Sequence, residues 1–258
     1  MKRHTTLVTA GFLALTELIS IPCFSLGVEV SFPQEVESET IDGRVILMLS
    51  TNDGDEPRFQ VRPGVSAIQI FGVNVEGVAP GQKIRIDASV FGYPIQTLED
   101  VPPGSYQVQA LLHRYETFNR ADGHEVKLPM DRGEGQQWNR APGNLYSTPQ
   151  KIDFAPGSDA VIRVELDQII PPIEPATDTK YVKHVHIQSK LLIEFWGRPM
   201  FLGAHVLLPH GYDEHPDARY PLMIFHGHFP SDIGDFHLPL AHEPRQVTPD
   251  HVPSPRHL

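Results

Sequence analysis

Cysteine is nearly absent from this chain: its 258 residues hold one, Cys23. That residue lies in an N-terminal stretch laid out like a secretory leader. The mature chain would then have no disulfide, no thiol nucleophile and no cysteine-ligated zinc. Outside the leader no stretch shows a convincing helical period, and a parallel sheet needs crossover helices on its faces. No basic cluster interleaved with aromatics offsets the formal charge of −11, which becomes −12 once the leader takes Lys2, Arg3 and Glu17 away. A polyanion meets repulsion on average, which argues against a nucleic-acid partner. The apolar stretch 7–21 contains Glu17, is followed by Pro22 and falls short of the ~20 residues a membrane span needs. No membrane span is expected.

What is present at the N-terminus is a basic head, Met1-Lys-Arg-His4, then that apolar stretch, then small residues ending in Ser25-Leu-Gly27. This is the order of a signal peptide, and Ser25 with Gly27 satisfies the small-x-small preference, so residues 1–27 are expected to be removed before Val28. A lipoprotein signal would want a small residue before Cys23, where Pro22 stands. The expected location is secreted or periplasmic.

A hydrophobic fraction of 40% is enough for a packed core, and 25 prolines favour strands joined by turns. Val28-Glu-Val-Ser-Phe32 alternates as a strand, and residues 44–50 form a more continuously apolar, central one. Around Gly72 the alternation slips phase, from Ile68 and Ile70 to Phe71, Val73 and Val75, which predicts a bulge there. Ile84, Ile86 and Ala88 share one face of a half-buried strand. Tyr106, Val108, Ala110 and Leu112 line another, and Ile162, Val164 and Leu166 a last one that closes a β-sandwich of immunoglobulin-like type over residues 28–170. Residues 114–150 form a long polar excursion, functional or disordered, in which Trp138 and Tyr146 argue against plain disorder. Pro171-Pro172-Ile-Glu-Pro175 reads as an extended linker, 171–180.

Near the end of the chain stands Arg219-Tyr-Pro-Leu-Met-Ile-Phe-His-Gly-His-Phe229. Residues 222–225 are apolar without alternation, as in a strand buried on both faces. Before it, Lys183-His-Val-His-Ile-Gln-Ser-Lys-Leu-Leu-Ile-Glu-Phe-Trp-Gly-Arg-Pro-Met-Phe-Leu-Gly-Ala-His-Val-Leu-Leu-Pro-His-Gly-Tyr212 reads as an antiparallel strand pair. Together, over roughly 181–230, these stretches resemble the esterase branch of the α/β-hydrolase superfamily. The resemblance implies that residues 181–230 start a hydrolase domain behind an accessory sandwich. It also implies that Gly227, His228 and Phe229 form an oxyanion loop, and that a small-molecule or polymeric ester is the substrate of a complete member.

In that superfamily the nucleophile, acid and histidine follow this loop. Gly-x-Ser-x-Gly does not occur in the chain. Its nearest approach, Gly64-Val-Ser-Ala-Ile68, has isoleucine in place of the second glycine and precedes a strand, so Ser66 reads as a turn residue; Gly157-Ser158-Asp159 fails in the same way. Residues 231–258, rich in proline and histidine, read as a disordered tail. The chain is therefore expected to be truncated, with no catalytic residues, and inactive as an ester hydrolase by itself.

Eleven of the fourteen histidines lie at or after residue 184. On a strand His184 and His186 point to one side, a geometry a metal could use with His205 as a third ligand. The solvent face of a hairpin has the same pattern. With no HExxH or spaced carboxylate in support, neither a metal nor a cofactor is expected. Asp53 with Asp55, and Glu99 with Asp100, are carboxylate pairs that read as solvated turns rather than a glycosidase site. Beside the esterase reading stands a second one, a secreted non-catalytic β-sandwich that binds a carbohydrate or a protein partner.

Overall fold

Val28, Val30 and Phe32 point into one core, and the computed structural model, which describes residues 26–155 and 160–226, shows a mainly β chain built around it. In chain order the strands are Gly27–Ser31 (β1), Ile41–Ser50 (β2), Gln69–Val78 (β3), Ile84–Ile86 (β4), Gly92–Tyr93 (β5), Gly104–Arg114 (β6), Glu116–Asn119 (β7), Glu125–Leu128 (β8), Leu145–Tyr146 (β9), Gln150–Phe154 (β10), Val161–Glu165 (β11), Gln168–Ile169 (β12), Val182–Gln188 (β13) and Phe201–Leu207 (β14). Two short α-helices join them among the described residues, Pro57–Gln60 (α1) and Lys190–Trp196 (α2). No helix there is long and apolar enough to cross a membrane. The chain divides into two compact units: residues up to His113 with Leu145–Ile169, and Arg114–Asn144 with the residues from Ile170 onward.

In the first unit β1 is the middle of a three-stranded sheet, parallel to β11 and antiparallel to β4. A seven-stranded sheet runs β12-β9-β6-β2-β3-β5, with β10 also on β6. One core joins them. Val28, Val30, Ile84, Ile86 and Val164 of the small sheet meet Val45, Leu47, Leu49, Phe71, Val108, Ala110 and Leu112 of the large one. A sheet with one apolar face must bury it against another layer, and the inner faces of these two sheets do so for each other, which is a sandwich-like arrangement.

Two readings of these strands need correction. The bulge lies at residues 76–77, not at Gly72: the pairing of β2 with β3 runs unbroken from Gly43↔Val75 to Leu49↔Gln69 and shifts only between Ile41 and Gly43. Gly77, at φ +57°, supplies the left-handed residue there and returns Val78 to the core. Gly72 is bare for another reason, since Arg44 crosses it and donates to its carbonyl oxygen at 3.1 Å. The second correction concerns β6, which is covered on both faces. Gln109 is fully buried opposite the core residues; its amide donates to Glu56 at 2.8 Å and to the Ser147 carbonyl at 2.9 Å, and its oxygen accepts from the Arg58 amide at 3.0 Å. Every polar atom of a buried side chain needs such a partner.

In the second unit β7 and β8 form a hairpin, and β13 and β14 pair antiparallel from Val182↔Leu207 to Gln188↔Phe201. The expected strand pair is therefore present, but α2 lies between its arms, where no helix was anticipated. Ser189 caps α2 by accepting from the Leu192 amide at 3.4 Å, and Gly197 ends it in the left-handed region at φ +66°. The polar excursion is ordered on this helix: Phe118 of β7 meets the Trp196 ring edge-on at 5.4 Å, and the Ala121 amide donates to the Phe195 carbonyl at 2.7 Å. Asn144 closes its neck, accepting from the Arg114 amide at 3.0 Å and donating to the Trp138 carbonyl at 2.7 Å, while its own carbonyl accepts from Ile170. Residues 171–180 are exposed and carry neither helix nor strand.

The strand read at 222–225 is not formed. Those four side chains are exposed, in a segment without regular structure. A strand apolar on both faces is stable only inside a sheet covered by layers on each side, and the described residues provide neither sheet nor layers for it.

Candidate functional site

The expected oxyanion loop, Gly227, His228 and Phe229, lies outside the described residues, as do residues 156–159 with Gly157 and Ser158. Ser66 sits in a turn closed by the Ala67 amide on the Gly64 carbonyl at 3.1 Å, with no helix behind it, so it is no elbow serine. Asp53 and Asp55 are exposed in an irregular segment, and Glu99 and Asp100 are exposed in a single 3-10 turn, Leu98–Asp100. Beside the Glu56, Arg58 and Gln109 group of the first unit, two clusters of chemistry-bearing side chains lie in the second unit.

The first is on the β13–β14 ribbon. The antiparallel register sets His184 directly opposite His205, and their rings meet edge to face at 4.9 Å. Before β13 the chain turns so that Asp178 accepts from the His184 amide at 2.8 Å and lies 3.3 Å from Nδ1 of the same residue. The amide bond from His184 holds the Asp178 carboxyl below the usual carboxylate range, against a smaller opposing effect of desolvation; Lys183, 3.7 Å away, adds to the lowering. His186 does not join this group: its ring stacks on Phe201 at 4.5 Å, nearly parallel. Among the described residues no three His, Cys, Asp or Glu side chains are grouped to hold a metal ion. An Asp–His pair can orient an imidazole for proton transfer, but acyl transfer also needs a nucleophile beside the ring. The pair's neighbours here, His205 and Lys183, do not supply one.

Below the ribbon a cavity of about 70 Å³ is lined by Lys180, Tyr181, Gly211, Tyr212 and Asp213, with the Tyr181 ring stacked on His210. Ligand pockets run to roughly 300–1,000 Å³, so this one takes a few waters, whereas the open hollow beside it, lined by Tyr212, Asp213, His215, Arg219 and Tyr220, is about 500 Å³.

The second cluster is built around Glu116. One carboxylate oxygen accepts from Arg132 and the other from Arg198, which also lies over the Phe118 ring at 4.7 Å. Arg120 pairs with Asp122 at 2.6 Å and lies over the Phe195 ring at 5.3 Å. Glu116 and Arg198 are 82 residues apart, and nothing in the local spacing of either announces the other. The arrangement ties β7 to the end of α2, which is a structural task. Asp178 was also missed in the sequence: Asp side chains accept from nearby backbone amides, but its partner His184 stands six residues on, beyond the usual short spacings.

No protein-family model matches the chain, and no curated protein does. Among solved structures, a candidate adhesin of Bacteroides ovatus ATCC 8483 aligns with 69% of this chain at 11% identity and a TM-score of 0.25; the alignment spans 52% of that protein, about half its length.

Proposed function

We propose that residues 26–226 are the non-catalytic front of an exported esterase-type protein. In this reading an immunoglobulin-like accessory sandwich is followed by the opening strand pair of an α/β-hydrolase domain, whose oxyanion loop is Gly227, His228 and Phe229. The observation that carries the reading is the order of the second unit: an antiparallel pair, β13 and β14, a glycine turn at Gly211, then four consecutive apolar residues at 222–225 directly before His226 and Gly227. Those residues have the composition of a strand from the middle of a layered parallel sheet. Amides of such a loop stabilise an oxyanion that a serine and its base must first create. No Gly-x-Ser-x-Gly exists in the chain to provide that serine, and no catalytic residue is assigned.

Two measurements test this. The encoding DNA, read past the codon of Leu258 in all frames, is expected to continue into a Gly-x-Ser-x-Gly and later codons for Asp and His. A locus without them sinks the esterase reading. The full chain, assayed with a chromogenic short-chain ester, is expected to show no turnover. Turnover that survives further purification and vanishes with a serine-directed inhibitor would show that the chain is catalytic after all.

A further inference from the structure

We propose that His184 and His205 form a two-histidine clip for a divalent late transition-metal ion such as Zn²⁺, Ni²⁺ or Cu²⁺, with Asp178 as the positioning residue behind His184. The esterase reading gives this cluster no task, and the clip does not depend on that reading. The register of the ribbon makes the pair. An antiparallel ladder alternates hydrogen-bonded residue pairs with non-hydrogen-bonded ones, whose side chains stand closer together. The Leu208 amide donates to the Tyr181 carbonyl at 2.7 Å, so odd-numbered residues of β13 turn their backbone groups toward β14. Even-numbered residues turn theirs away: the Val182 amide donates to the Thr179 hydroxyl at 3.0 Å and the His184 amide to Asp178 at 2.8 Å. His184 and His205 are therefore a non-hydrogen-bonded pair, the closer kind.

Their ring centroids are 4.9 Å apart. Two imidazoles that bind one ion at ~2.0–2.1 Å, with roughly 90–110° between them, have centroids about 4.5–5.2 Å apart. The backbone thus needs no movement, and the rings need only turn about χ2, a soft torsion. Asp178 prepares one of them. Its Oδ1 lies 3.3 Å from Nδ1 of His184, and a carboxylate only accepts, so the proton is on Nδ1 and the lone pair on Nε2. That is the tautomer a metal requires, and an imidazole backed by a carboxylate is the more basic ligand. Lys183 sits 3.7 Å from the other carboxylate oxygen, which leaves Oδ1 to the histidine. His186 stands across from Gly203 with its ring on Phe201, and takes no part. His205 is exposed and His184 half-buried, so water completes the coordination. Imidazole donors favour late transition ions over Ca²⁺ and Mg²⁺, which prefer oxygen. Binding is ligand exchange: two waters leave the ion as two nitrogen lone pairs replace them.

The test is calorimetric titration of the full chain with Zn²⁺ at neutral pH. The parent is expected to bind, His184→Gln and His205→Gln each to weaken binding at least about ten-fold, and Asp178→Asn to weaken it about ten-fold. His186→Gln is expected to change nothing. Histidines elsewhere in the chain are common to all these variants, so binding there cancels in the comparison, and Asp178→Asn keeps an acceptor for the His184 amide. Cu²⁺ at one equivalent on the parent gives a readout that needs no variant: its electron paramagnetic resonance is expected to show coupling to two imidazole nitrogens. A parent that does not bind Zn²⁺, equal affinity in His184→Gln and the parent, or an equal loss in His186→Gln overturns the clip. So does a copper spectrum with one nitrogen or none. Unchanged affinity in Asp178→Asn removes its positioning role.

Discussion

The carbonyl oxygen of Asn119 occupies the space where a side chain on Gly197 would begin, 2.6 Å from the position of its Cβ. Gly197 ends α2 and Asn119 ends β7, so the close approach is where the excursion from 114 to 144 docks on the helix. Both tryptophans, Trp138 and Trp196, lie in this second unit. Fluorescence excited selectively at tryptophan therefore follows this unit, since the first one contributes only tyrosines such as Tyr93, Tyr106 and Tyr146.

Gly197→Ala is expected to destabilise the second unit by about 1–3 kcal/mol, because alanine is strained in the left-handed region and its methyl group meets a backbone oxygen that cannot swing away. Gly211→Ala is the control: it has φ +75° but only ordinary contacts, 3.6 Å or longer, around its Cβ. Denaturant midpoints read by tryptophan fluorescence decide it. Equal midpoints for the two variants would mean that Asn119 does not constrain Gly197.

Glu116→Gln is expected to lower the same midpoint by about 1.5–3 kcal/mol, since it leaves the Arg132 and Arg198 guanidiniums facing each other without a charge between them. All three side chains are partly buried, at 21%, 31% and 28% exposure, so salt will screen the effect only in part. The far-UV circular dichroism of the first unit's strands should be unmoved at the midpoint of this transition. A variant as stable as the parent would show the triad to be dispensable.

The sandwich was legible because its signal is local. Alternation in Val28-Glu-Val-Ser-Phe32, in Ile84 and Ile86, and in Val108, Ala110 and Leu112 states which face is buried without reference to any partner. What was not legible depends on residues far away. Gln109 sits on the face of β6 that alternation assigns to solvent, and only the return of Arg58 and Ser147 to that face makes its burial tolerable. Helix α2 has seven residues, two turns, too few for a period to emerge; its boundaries were written in Ser189 and Gly197, a cap at each end. The same limit explains 222–225: composition can name a buried strand but cannot supply the neighbours that bury it.

Acid should weaken both units through particular carboxylates. Asp87 accepts from the Ser89 hydroxyl at 2.7 Å and its amide at 3.0 Å, and these bonds hold its carboxyl below the usual 3.8. Asp178 is lowered from the same value by the His184 amide. A depressed pKa contributes stability that is fully present above the unfolded value, here 3.8, and is lost as pH falls through the lower folded one. Denaturant midpoints measured from about pH 6 down to about pH 3 should fall, and Asp87→Asn with Asp178→Asn should flatten the fall. A double variant that declines in parallel with the parent would remove these two groups from the account.

The exposed run at 222–225 sets the last expectation, which concerns association. Leu222, Met223, Ile224 and Phe225 are 81%, 88%, 79% and 83% exposed, and a contiguous apolar segment in water lowers its free energy by ~25 cal/mol per Å² when another surface covers it. Scattered single apolar residues would carry no such drive; four in a row do. The full chain is therefore expected to self-associate with rising concentration in sedimentation velocity. Met223→Lys with Phe225→Lys should shift the distribution toward monomer without moving the tryptophan midpoint, because neither residue belongs to the contacts around Trp138 or Trp196. A chain that stays monomeric at every concentration, or a double variant that associates as strongly as the parent, would show that this segment is not the adhesive surface.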